Sequence, residues 1–137
     1  MAFSVRPVEF FHVAVRDQPG EAYQLLALLA QQGVNLLAFT AVPNDADHTQ
    51  LTLFPDEGAR LRHVAQEARI ELDGPHHALL VQGDDELGAL AGIHQRLADA
   101  GVNVFSSAGI ADGRGSFGYL MYVREEAIDR ATAALHD

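Results

Sequence analysis

Apolar and polar positions along the chain alternate between two periods, and the switches between them mark out its elements. Ala22, Leu25, Leu26 and Leu29 recur at three- and four-residue spacing, which predicts a helix over about 19–32 with one buried face. Asp17, Pro19 and Gly20 punctuate its entrance, and Gly33 with Asn35 its exit. Before it, Phe11, Val13 and Val15 alternate with His12, Ala14 and Arg16, as in a half-buried strand over 8–16. Pro7 cannot donate to a ladder and is expected to separate that strand from a short one at 3–6. Beyond the helix, 36–42 reads as a strand, 43–47 as a turn and 49–54 as the returning strand. Leu61, Val64, Ala65 and Ala68 stripe a second helix that starts near Pro55-Asp56-Glu57, and 69–72 is expected to supply a last short strand. The order is βαββαβ. Helices on one face of an antiparallel sheet in that order make an α+β, ferredoxin-like fold.

Gly74-Pro75 marks a joint, after which the order restarts. A strand at 78–82, a helix at 85–100, strands at 103–110 and 117–123 and a helix at 125–135 are predicted, with a turn at 113–116. Sliding the chain by 68 residues pairs Asp17 with Asp85, Gly20 with Gly88, Leu29-Ala30 with Leu97-Ala98, and Gly33-Val34-Asn35 with Gly101-Val102-Asn103. Self-similarity at a fixed period is the mark of a duplicated unit. Two repeats follow, 8–74 and 75–137, the second lacking its own C-terminal strand. An unpaired sheet edge invites pairing. Residues 1–7 are free to fill it, in the same chain or across a dimer. In 117–122, apolar residues fall on both faces, which predicts burial on both sides.

Composition narrows what such a chain can do. Hydrophobic residues make up 48% and charged residues 20%, enough for a real core. Nineteen acidic against nine basic residues give a net charge of -10, which argues against nucleic acid and against an anionic membrane surface. Cysteine is absent, which excludes disulfides and thiolate chemistry. The first residues do not resemble a secretory signal and no apolar run approaches a membrane span, so a cytoplasmic protein is expected. The seven histidines show no spacing that predicts a metal site, and His76 and His77 should point to opposite faces of a strand. Gly113-Arg114-Gly115-Ser116 lies between strands and lacks the lysine of a phosphate-binding loop. No nucleophile with base and orienter stands out, so neither an enzyme nor a cofactor is expected.

A βαββαβ unit with Asp-x-Pro-Gly, an apolar helix and then Gly-Val-Asn-hydrophobic resembles the ACT domain, a small regulatory module that binds amino acids. Asp17-Gln18-Pro19-Gly20 and Gly33-Val34-Asn35-Leu36 carry the resemblance in the first repeat. Asp85-Glu86-Leu87-Gly88 and Gly101-Val102-Asn103-Val104 carry it in the second, without the proline. The resemblance implies a tandem, non-catalytic regulator that binds an amino acid or similar zwitterion where two units meet, and it implies a homodimer. The site residues carried over are Asp17, Gly20 and Asn35, then Asp85, Gly88 and Asn103. The chemistry is reasonable: a helix N-terminus favours a carboxylate, glycine lets it come close, and Asp17 suits an ammonium group. Asp84, Asp85 and Glu86 repel a carboxylate at the second entrance, which ranks that site lower. The alternatives are a structural or protein-interaction module whose sites have degenerated, and an enzyme on a ferredoxin-like scaffold.

Overall fold

The structure, a computed structural model, describes residues 3–136. Its elements run β1 (Phe3–Arg16), α1 (Glu21–Gln31), β2 (Leu36–Pro43), β3 (His48–Pro55), α2 (Gly58–Ala68) and β4 (Asp73–Asp84), followed by α3 (Ala89–Asp99), β5 (Ser106–Ala111), β6 (Ser116–Tyr122), a 3-10 turn at Glu125–Ala127 and α4 (Ile128–Leu135). The ladders β1–β3, β2–β3, β4–β6 and β5–β6 are all antiparallel. The class is α+β. No described helix is long and apolar enough to cross a membrane.

The chain divides into two compact units, Glu9–His76 and, in its described part, 3–8 with 77–136. In the unit 9–76 the strands follow the order β2-β3-β1-β4, and the apolar stripes of α1 and α2 pack on them. Phe11, Leu29, Leu51, Leu53 and Leu61 are the most enclosed members of its core. In the other unit the order is β1-β4-β6-β5, and Leu79, Val81, Ile93, Leu97, Met121 and Ala131 form the centre of the core. Its final strand is the first stretch of the chain. Val5 is 7% exposed within this core, Phe3 packs against it, and Ser4 Oγ donates to the Gln82 carbonyl at 3.4 Å.

Several boundaries differ from the sequence reading. Pro7 does not break β1, which runs straight through it, because the β1–β3 ladder begins only at Phe11 and the missing N–H falls outside it. The strand expected at 69–72 does not form. There α2 closes on Arg69 in the left-handed conformation (φ 57°), and Ile70 and Leu72 pack against the core as irregular chain. Strand β4 starts at Asp73 and passes through Gly74-Pro75, again outside its ladder with β6, which starts at Leu79. Both α1 and α3 start after the left-handed glycines Gly20 (φ 89°) and Gly88 (φ 82°), inside the predicted starts at 19 and 85. Strand β5 starts at Ser106 and all of its residues are exposed. Leu120 is buried on the face of β6 opposite Tyr119 and Met121.

Candidate functional site

The two helix entrances are built alike. At the first, the Asp17 amide donates to the Asp47 carbonyl (2.8 Å), Gln18 to Arg16 (2.9 Å) and Gln24 to Gly20 (2.9 Å). At the second, Asp85 donates to Gly115 (2.8 Å), Glu86 to Asp84 (3.0 Å) and Gly92 to Gly88 (3.0 Å). Every pair of partners in the second set lies 68 positions beyond its counterpart in the first. Gly20 and Gly88 supply the positive φ that each turn needs, and a β-carbon at either would meet nothing within 4 Å. The surface above each entrance is therefore open to a ligand. The exits match too: Val34 donates to the Leu29 carbonyl and Val102 to that of Leu97, both at 2.9 Å.

The predicted site residues are only partly gathered. Asp17 and Gly20 share the entrance of α1, whereas Asn35 stands past its exit, with eleven helical residues between them, about 16 Å of helix. The Asn35 side-chain amide donates to an Asp56 carboxylate oxygen at 3.5 Å, and the Asn35 backbone carbonyl accepts from the Asp56 backbone amide at 3.0 Å, so Asn35 also braces the approach to α2. Asp85 and Gly88 share the entrance of α3, and Asn103 lies beyond its exit. With Leu87, Leu90, Ile110 and Phe117, Asp85 and Gly88 line a groove of about 630 Å³, and Asn103 is not among its lining residues.

Structures with the same architecture are known. One is a protein of Bacteroides thetaiotaomicron, at TM-score 0.81 and 14% identity over 96% of this chain and 88% of that one. Another is the regulatory subunit of aspartate kinase from Thermus thermophilus in its ligand-free form, at TM-score 0.64 and 17% identity over 99% and 97%. Aspartokinase alpha and beta subunits match at TM-score 0.65 and 19% identity over 99% and 95%. The chain shares the fold of aspartate kinase regulatory subunits. An ACT-like fold is thereby supported. No family model matches the chain, and no curated protein matches it in sequence.

A second constellation was not expected from the sequence. In the unit 9–76 a groove of about 860 Å³ runs between β1, the first turns of α1 and the irregular segment 69–72, with His12 and Asp73 in its wall. His12, Asp73 and His76 each bring a ligand atom within 4.8 Å of the others. His76 Nε2 lies 3.1 Å from an Asp73 carboxylate oxygen, and the rings of His12 and His76 are 5.5 Å apart. On its other side His12 Nδ1 shares a hydrogen bond of 2.9 Å with the hydroxyl of Thr52, its ladder partner on β3 and a buried side chain. Burial pushes the His12 imidazole below its ordinary value of 6.5; Asp73 opposes the fall and His76 adds to it. The neutral ring, the form that ligates metals, is favoured.

Backbone packing sets this cluster. A β-carbon on Gly74 would stand 2.8 Å from the Phe10 carbonyl oxygen and 2.9 Å from Phe11 Cδ2, and its φ is 146°. Glycine at 74 therefore lets β4 close on β1 and brings Asp73 and His76 to His12. His77, one residue on, belongs to the unit with 77–136, where its ring meets Glu125 at 3.2 Å. In sequence the only local signal is Asp73 and His76 three positions apart across a Gly-Pro pair.

Proposed function

We propose that this protein is a non-catalytic regulatory module of duplicated ACT-like design that binds an amino acid or similar small zwitterion at its helix entrances. The observation that carries the reading is the entrance turn built twice. Each presents a left-handed glycine, the first-turn N–H groups of a helix start and a nearby exposed aspartate. Those N–H groups and the helix dipole attract a carboxylate, and Asp17 or Asp85 attracts an ammonium group. The fold shared with aspartate kinase regulatory subunits supports a regulatory role. Because Asn35 stands a helix length from Asp17, the proposal includes a homodimer in which a second copy supplies the amide. Asp84, Asp85 and Glu86 make the α3 entrance the weaker site.

A thermal-shift screen of the amino acids at millimolar concentration tests this. At least one is expected to raise the midpoint, and Asp17→Ala and Asn35→Ala should each weaken that ligand roughly tenfold to a hundredfold, the worth of one charge-assisted hydrogen bond. Asn103→Ala should matter less. No shift with any amino acid counts against sensing, and equal losses at Asn35 and Asn103 overturn the ranking of the two sites.

A further inference from the structure

We propose that His12, Asp73 and His76 form a binding site for a divalent transition-metal ion of the zinc type, independent of the helix-entrance sites. Two imidazoles and one carboxylate are the donor set of borderline ions such as Zn2+, Co2+ and Ni2+, whereas Mg2+ and Ca2+ prefer oxygen alone. Three protein ligands leave a fourth position for water or a small molecule.

The geometry is close to what an ion needs. Bonds of about 2.0–2.1 Å in a tetrahedron hold neighbouring donors about 3.4 Å apart. His76 Nε2 and Asp73 already stand at 3.1 Å, and all three donors lie within 4.8 Å of one another, so side-chain rotation alone closes the set. An ion takes the place of the proton between His76 and Asp73. The support behind the donors is also present. With Nδ1–H of His12 donating to Thr52 Oγ1, the Nε2 lone pair is left for the ion, and this second hydrogen bond fixes ring and tautomer. Thr52 is only 4% exposed and belongs to a central strand, so it holds His12 in place before any ion arrives. The rings of His12 and His76 both pack against Phe10, with centroids 5.3 and 5.2 Å away, which restricts their rotation further. His12 and Asp73 also line the 860 Å³ groove, so an ion there is reachable from solvent.

The other histidines provide the contrast. His63 with Glu67 at 3.6 Å is an exposed pair one helical turn apart, the usual place for adventitious zinc.

Calorimetric titration of chelator-stripped full-length protein with Zn2+ tests the proposal, with Mg2+ as the comparison ion. One Zn2+ per chain is expected, with no Mg2+ response at equal concentration. His12→Gln and His76→Gln should each weaken Zn2+ at least tenfold, Thr52→Val roughly 10–100-fold as a lost outer-shell partner, and His63→Gln not at all. Co2+ added to the wild-type protein should give visible bands of a nitrogen–oxygen site, a readout that needs no variant to fold. Absence of stoichiometric Zn2+ binding overturns the proposal. So does binding that survives His12→Gln combined with His76→Gln, which would mean an adventitious ion on surface histidines only.

Discussion

Removing residues 1–7 is expected to destabilise the unit that contains 77–136 by roughly 3 kcal/mol, the burial of one valine and part of a phenylalanine side chain. Val5 sits inside that unit's core, Phe3 packs on it, and the Arg96 guanidinium lies 5.6 Å from the centre of the Phe3 ring. The deletion also bares the edge of β4, an invitation to aggregation. Urea unfolding should show the lower midpoint, and hydrogen exchange should show lost protection in the second half of β4 and in α3 and α4. An unchanged midpoint and protection pattern would mean that the N-terminal stretch does not complete this unit.

Gly74→Ala is the second large effect. A β-carbon there would press on the Phe10 carbonyl oxygen and the Phe11 ring, and its positive φ disfavours alanine even without the contact. Strain and overpacking together should cost roughly 2–4 kcal/mol. Gly20→Ala is the matched control: its φ is also positive, at 89°, but its β-carbon would face open space, so about 1 kcal/mol is expected. Chemical denaturation of both variants separates close packing from backbone conformation. Equal losses would show that the approach of β4 to β1 does not depend on glycine at 74.

The helices were legible because their apolar stripes are periodic, and α1 and α3 also because a glycine caps each start. The buried Leu25, Leu29, Leu61 and Val64 all belong to those stripes. Strand boundaries were less legible. Pro7 and Pro75 are strong breakers in isolation, yet each lies where its own strand lacks one of its ladder partners, and that depends on which strands neighbour β1 and β4. The expected strand at 69–72 failed for a local reason, the left-handed Arg69, a conformation that arginine rarely adopts and that no sequence rule assigns to it. Of the candidate chemistry, the Asp-x-x-Gly turns were readable because turn residues carry their own geometry. The His12, Asp73 and His76 cluster was not readable, since His12 reaches the other two only through the closeness of β1 and β4.

The central claim is that the helix entrances take a zwitterion. The most direct measurement is a two-dimensional 15N–1H NMR titration of the uniformly labelled protein with each amino acid up to millimolar concentration, which detects weak binding and locates it at once. Saturable shifts are predicted for the amides of residues 20–23 with at least one amino acid, with smaller changes or weaker saturation at 88–91. Spectra in which no amide of either entrance moves with any amino acid would contradict the account.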